Sequence, residues 1–403
     1  MAVTQPTPDF PGQYFTVAVH DLHFVGRPDD RLAAVLAVIA AAQHSVRMVV
    51  YMFRDDEIGS VIRSALIAAR RRGLSVDLMV DGFGSVETAD TFFAPLQQAG
   101  GTVKRFSSRW NLGYFIRNHQ KIVIADDAHV LVGGFNITNH YFDRAGDESW
   151  EDFGVILSGE MAARLVPYFD DLGQLSRDGG VRFGELRRLI RGWSIGDGAL
   201  GWALGGPTNR ISPWALSLKR DLENAGALHL AAAYFSPSQS VLRRIAKVTR
   251  KGQSKLILAG KSDNQTTIDA ARSLYKYLLK RGAAIYEYQP QPLHMKLIVI
   301  DDISYIGSAT LDVRSLFINL EIMLRIDDAA VADYLREYIT AMTAQSEQQT
   351  PQLHRRHSGY FARFKWGFAY ILVNVIDYSV GRRIKFSLLR NRLRNKLRDN
   401  LRG

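Results

Sequence analysis

One chemical phrase occurs twice in this chain. The first copy is His119-Gln120-Lys121, four residues, Asp126, six residues, then Gly133-Gly134-Phe135-Asn136. The second is His294-Met295-Lys296, four residues, Asp301, five residues, then Gly307-Ser308-Ala309-Thr310. Each phrase opens an apolar run, Ile122-Val123-Ile124 and Leu297-Ile298-Val299-Ile300, of the kind found in strands buried on both faces. On a strand, His and Lys two residues apart point to one face and can reach one group of ligand oxygens. The Gly/Ser turn that follows brings backbone N–H groups and small side chains near the same point. A single His-x-Lys triplet is common and usually structural. Two in matched positions, with matched Asp and Gly, predict a chain of two similar halves, each supplying half of a phosphodiester-cleaving site.

The halves echo each other outside the phrase. Residues 46–53 read as a strand ending in an aromatic, 58–72 as a helix, and 76–81 as a strand after Gly73. Residues 228–235, 241–251 and 255–259 repeat that order, with Gly252 in the equivalent place. Near-constant offsets mark an internal duplication. Strands alternating with helices of this length predict an α/β fold, two α/β/α sandwich repeats around a shared site. The expected boundaries are 1–195 and 196–348 for the repeats and 349–403 for a basic helical tail. The Gly-rich stretch 194–213 reads as the connection between repeats, and the Gln/Glu/Thr/Pro residues after Ala344 as a second linker. Residues 32–42, behind Asp29 and Asp30, read as a buried amphipathic helix too short to span a bilayer. The first residues lack the basic and apolar regions of a signal peptide. A chain of 403 residues can bury two cores. It has no cysteine, which excludes disulfides and Cys-based zinc sites and fits a reducing compartment.

A phosphodiester is anionic and resists attack. Its cleavage needs a nucleophile, positive charge on the non-bridging oxygens and an acid for the leaving alcohol. Two His and two Lys supply all three. One imidazole attacks phosphorus; the other protonates the leaving oxygen and then deprotonates the incoming alcohol or water. The candidate catalytic set is His119, Lys121, Asp126, His294, Lys296 and Asp301, with Asp126 and Asp301 read as supports of the strand turns. Gly134, Asn136, Ser308 and Thr310 are candidate phosphate ligands. No His/Asp/Glu cluster has zinc spacing, so no metal or cofactor is expected.

Residues 117–126, 133–137, 293–296 and 307–315, the last running on to Asn319-Leu320-Glu321, resemble the phospholipase D superfamily. Together with Tyr286-Glu287-Tyr288, they are most similar to the shorter bacterial cardiolipin synthases. The resemblance covers residues 25–345 and implies the phospholipase D fold. It also implies a phosphatidyltransferase that moves a phosphatidyl group from phosphatidylglycerol, through a phosphohistidine, to a second phosphatidylglycerol or another alcohol, releasing glycerol. By the same resemblance His119 is the nucleophile and His294 the acid/base. Each histidine is expected to be oriented by the acid downstream of it: Glu321 for His294, and Asp152, in preference to Glu151, for His119. Gly134 departs from the Ser often found there, and Thr310 from the usual Asn. The rival readings are a phospholipase D hydrolase releasing phosphatidic acid, a nuclease-type phosphodiesterase, and a catalytically dead lipid-binding scaffold. The complete His-x-Lys pairs argue against the scaffold.

Charge is concentrated at one end. Residues 354–403 hold thirteen Lys/Arg against two acids, Asp377 and Asp399, which accounts for the whole net charge of +11. The body is neutral, unlike the basic channels that hold nucleic acid; nucleic acid is not an expected partner. Residues 366–380 are largely apolar, and Leu389, Leu393, Leu397 and Leu401 recur every four residues among Lys/Arg. This predicts an interfacial anchor on an anionic phospholipid membrane, at about 1 kcal/mol per basic group. The expected location is peripheral, on the cytoplasmic side of the cell membrane. A tail packed on the body or forming a dimer helix is the alternative, and the oligomeric state is left open.

Overall fold

A computed structural model gives the fold and describes residues 10–106, 116–142, 149–176, 183–196, 198–208, 211–262, 264–357 and 359–375. The first half runs β1 (Gln13–Val17), β2 (His20–Val25), α1 (Pro28–Ala41), β3 (Ser45–Val50), α2 (Glu57–Arg71), β4 (Ser75–Asp81), α3 (Asp90–Gln98), β5 (Thr102–Phe106), β6 (Lys121–Ala125), β7 (His129–Gly133), β8 (Gly154–Ser158), α4 (Glu160–Ala163), α5 (Leu165–Leu175) and α6 (Phe183–Gly192). The second runs β9 (Leu200–Gly205), α7 (Pro213–Glu223), β10 (Leu228–Ala232), β11 (Phe235–Ser236), α8 (Gln239–Thr249), β12 (Ser254–Ala259), α9 (Gln265–Leu279), β13 (Ala284–Tyr288), β14 (Lys296–Ile300), β15 (Ile303–Gly307), β16 (Leu311–Asp312), α10 (Val313–Phe317), β17 (Glu321–Asp327), α11 (Ala329–Ala341) and β18 (Ser346–Gln349). Two helices follow, α12 (Pro351–His357) and α13 (Tyr360–Val375).

Each half builds an eight-stranded mixed sheet. The orders are β1-β2-β8-β7-β6-β3-β4-β5 and, read the same way, β9-β17-β15-β14-β10-β12-β13-β18. The strands that open at the two lysines, β6 and β14, lie mid-sheet, and all five residues of each are buried. Their registers match: Lys121 stands opposite Val50, and Lys296 opposite Ala232. The helices α1 to α3 close the outer face of the first sheet, where Val35, Ile39, Ile62, Leu66 and Phe93 meet Met48, Val50 and Val80. Around α7 to α9, Leu218, Ile245 and Tyr275 do the same for the second sheet. The inner faces share one core. In it Ile122, Ile124 and Val155 of one sheet join Leu297, Val299 and Leu324 of the other, with Leu172, Ile190 and Leu335 from α5, α6 and α11 between them. That shared core holds the two repeats in a fixed relation.

The two expected linkers are partly strands. Within 194–213, Leu200–Gly205 pairs antiparallel with β17, and beyond Ala344, Ser346–Gln349 pairs antiparallel with β13. The glycines and polar residues hid two sheet edges, where pairing to a neighbour outweighs weak local propensity. The tail opens with α12 and continues as α13, which packs on α9. Trp366 stacks on His354 with ring centroids 5.3 Å apart, Ala369 is buried, and Lys365 Nζ lies 2.9 Å from Asp269 Oδ2. The expected basic helix through Leu389 to Leu401 lies outside the described residues. Among those described, no helix is long and apolar enough to cross a membrane.

Candidate active site

The segments that lead into β6 and β14 also pair across the seam with the opposite half. Asn118 bridges Leu320 in parallel, His119 N–H donates to Leu320 O at 2.9 Å, and Leu320 N–H donates to Arg117 O at 2.8 Å. On the other side Glu151 bridges Leu293, and His294 N–H donates to Glu151 O at 2.7 Å. Each histidine is thereby set beside the acid of the opposite half. His119 Nδ1 lies 3.2 Å from Glu321 Oε2, and His294 Nδ1 lies 2.7 Å from Asp152 Oδ2. The sequence expectation paired each histidine with the acid downstream in its own half; the structure exchanges the two. The cause is the backbone: the residue before each acid is bridged, across the seam, to the residue before the opposing histidine or its neighbour.

The two acids are held differently. Glu321, fully buried, receives Ser308 Oγ on Oε2 at 2.5 Å and Ser315 Oγ on Oε1 at 2.8 Å. Asp152, also fully buried, receives its neighbour Phe153 N–H at 2.8 Å, and Lys296 Nζ stands 4.0 Å away. Gly134 occupies the place of Ser308 in the first half. A Cβ there would stand 2.2 Å from Asp152 Oδ1, so the missing side chain is the space the carboxylate uses. Tyr141 occupies the place of Ser315. Its phenol sits 3.3 Å from His294 Nε2 and receives Asn136 Nδ2 at 3.0 Å, while Met52 N–H holds Asn136 Oδ1 at 3.2 Å. With His294 Nδ1–H turned to Asp152, Nε2 faces two donors, the Tyr141 phenol and Lys296 Nζ at 3.1 Å, and Lys296 Nζ also stands 2.6 Å from Nδ1.

His119 and His294 both line one cavity of about 790 Å³, within the usual range for ligand sites. Its wall includes Tyr51 and Tyr234, Tyr141, Trp150, Arg117 and Arg314. The Tyr51 ring lies 4.8 Å from that of His119, and the Trp150 ring 5.3 Å from that of His294. His119 is the more accessible of the two, its side chain 15% exposed against 6%, and among the described residues no hydrogen bond engages its Nε2. The lysines lie beneath the cavity. Lys121 Nζ donates to His119 O at 2.6 Å, and Lys296 Nζ to the His294 carbonyl. Burial first, and the nearby Lys296 ammonium second, push His294 down to about 3. Burial pushes Lys121 down to about 7 against the pull of Glu321. His119 is lowered as well, chiefly by burial. Burial works against the charge on Asp152, yet Lys296 and His294 hold it below the ordinary carboxylate range. The resting site thus favours neutral imidazoles, with an ionised Asp152 behind His294.

Of the four expected phosphate ligands, Asn136 and Thr310 line the cavity, whereas Gly134 and Ser308 lie behind it, serving the two acids. Thr310 bonds Ser315 Oγ at 2.8 Å and also reaches Asp312. Asp126 and Asp301 are outside the cavity wall. Asp126 accepts the N–H groups of Gln43, His44 and Ser45 at 2.7 to 2.8 Å, and Asp301 those of Gly226 and Ala227. Both have left-handed backbones, with φ of 55° and 49°. They tie each strand turn to the loop before β3 or β10, as turn supports and not as groups facing the reaction. Tyr141, Trp150, Ser315, Arg117 and Arg314 were not singled out from sequence. For Ser315 and Tyr141 a signal existed, since each lies seven residues after Ser308 or Gly134. Among the described residues no group of three or more His, Asp and Glu is placed to hold a metal ion.

Residues 35–172 and 218–343 match the family described as cardiolipin synthase, PLD-like domain. The chain is 29% identical over 342 residues to cardiolipin synthase B of Salmonella typhi, covering 80% of each. It is 28% identical over 337 residues to cardiolipin synthase B of Escherichia coli K12, covering 79% of each. Among solved structures, the phosphatidylserine synthase of Haemophilus influenzae shares the fold, with a TM-score of 0.68 over 88% of this chain and 95% of that one at 14% identity.

Proposed function

The chain belongs to the family of cardiolipin synthases with a PLD-like domain, and on that premise we propose that it transfers a phosphatidyl group from phosphatidylglycerol to a second phosphatidylglycerol. His119 Nε2 attacks the donor phosphorus while His294, first protonated on Nε2 from solvent, gives that proton to the departing glycerol oxygen. A P–N bond forms as the P–O bond breaks. The acceptor hydroxyl then loses its proton to His294 and attacks the same phosphorus, and the P–N bond breaks. The sum is two phosphatidylglycerols to one cardiolipin and one glycerol. Lys121 and Lys296 balance charge on the non-bridging oxygens, and Asn136 and Thr310 contact them from the cavity wall.

The observation that carries this reading is the inequality of two imidazoles at one cavity. Each is backed on Nδ1 by a buried acid of the other half. Among the described residues His119 has its Nε2 without a hydrogen bond, as a nucleophile needs, whereas His294 has its Nε2 in a hydrogen-bonded chain, as a proton-transfer group does. The lipid substrate and the basic residues 354–403 support a peripheral location on the cytoplasmic face of the cell membrane. The test is incubation with phosphatidylglycerol vesicles and mass spectrometry of the products. Cardiolipin with an equal amount of glycerol is expected. Phosphatidic acid without cardiolipin would mean that water, and not a lipid, is the acceptor.

A further inference from the structure

The helix α13 is apolar on two opposite faces. At 3.6 residues per turn, Trp366, Ala369 and Val373 share one face. Trp366 and Ala369 are buried against the body, and Val373 lines the catalytic cavity. Tyr360, Phe361, Phe364, Phe368 and Ile371 fall on the other face, within an arc of about 100°. They are 94%, 83%, 75%, 58% and 58% exposed. Among the described residues these five make up nearly half of the exposed large hydrophobic side chains, and they include every exposed phenylalanine. Single exposed apolar residues need no explanation, but a contiguous aromatic stripe marks a surface that something covers. Arg363 and Lys365, both exposed, border the stripe on either side.

We propose that this face of α13 docks on an anionic phospholipid bilayer and holds the mouth of the cavity at the lipid surface. The proposal rests on the lipid-transfer reading above and adds the surface that performs the docking. Three observations select a bilayer as the occupant. Aromatic side chains flanked by Arg and Lys suit the headgroup–acyl boundary. The bordering cations repel a second copy of the same face and also residues 376–403, which carry nine Lys/Arg against two acids. One helix presents Val373 to the cavity and the stripe to the outside, so docking places the catalytic opening within about one helix diameter of the lipid.

The full chain lacks cysteine, so Phe364→Cys accepts a single spin label. In buffer the label is expected to be mobile. With vesicles of phosphatidylglycerol and phosphatidylcholine in equal parts, it becomes shielded from a water-soluble relaxation agent and exposed to dissolved oxygen. The companion test is the triple variant Phe361→Ser, Phe364→Ser, Phe368→Ser, whose changes lie on an exposed face and leave the Tm unchanged. Its vesicle affinity falls about tenfold or more, and its turnover of vesicle substrate falls with it. Cleavage of a monomeric short-chain phosphatidylglycerol stays at the parent rate. A label already immobilised in buffer would mean that the tail or a second copy covers the stripe, and would overturn the proposal, as would unchanged vesicle affinity in the triple variant. Vesicle binding is read without turnover, so failure of the transfer chemistry alone would leave this result standing.

Discussion

Tyr141 and Ser315 hold corresponding places in the two halves, yet one reaches a histidine and the other a carboxylate. Their difference makes an otherwise symmetric pair of imidazoles unequal. A phenol donating to His294 Nε2 stabilises the neutral ring, because the imidazolium would need that nitrogen for its own proton. Removing the donor therefore raises the pKa of His294. In Tyr141→Phe, the acid limb of the rate of phosphatidyl transfer, where His294 must be neutral to accept the acceptor's proton, moves to higher pH. A pH profile of that step checks this, and a limb that stays in place would remove Tyr141 from the account.

Larger units explain why some motif residues are needed without touching the reaction. Asp126 and Asp301 each anchor the turn after a central strand to the loop before its neighbour, by bonds to backbone N–H groups. Asp126→Ala leaves those donors unpaired and costs about 1–3 kcal/mol of stability in chemical denaturation. The folded fraction keeps its turnover per molecule; a complete loss of turnover in fully folded protein would give Asp126 a chemical role. Gly134→Ser makes the opposite error. Its Cβ would press on Asp152, so the variant loses about 1–3 kcal/mol and its His294 loses its brace. Unaltered Tm and activity would contradict this. Much of this level was legible beforehand. The repeated phrase gave the two halves, and the period of apolar residues gave β3, α2 and β4 and their counterparts β10, α8 and β12. The exchanged acids were not legible. They follow from two cross-seam bridges, Asn118 to Leu320 and Glu151 to Leu293, and residues about 200 and 140 apart carry no local pattern that pairs them. The strands β9 and β18 escaped for the related reason that their partners, not their composition, make them strands.

At the scale of the whole molecule, the fold buries titratable groups whose protonation opposes folding. His294 is pushed down to about 3, and His229, on β10, to about 4 by burial first and then by Lys255 and Arg336. In the unfolded chain both take a proton near the ordinary 6.5, which the folded protein resists. The unfolded state therefore binds more protons below that pH, and stability falls as pH drops from 6.5 toward 4. Asp81, raised to about 6 by burial, acts in the other direction, its contribution fading as pH rises through that value. The Tm is expected to fall on acidification, and His229→Gln, remote from the cavity wall, to shrink that fall; an equal fall in the variant would mean His229 is not one of the responsible groups. The same architecture brings two distant imidazoles to one cavity, where the proposed transfer needs them on one phosphorus. The most direct measurement of that claim uses a donor whose alcohol needs no acid, phosphatidyl-p-nitrophenol, with each histidine variant in turn. His294→Asn should release nitrophenol once and hold a phosphatidyl adduct on His119, found by mass spectrometry of the acid-sparing digest, while His119→Ala forms none. An adduct on His294 in the His119→Ala protein, or no adduct in either, would contradict the account.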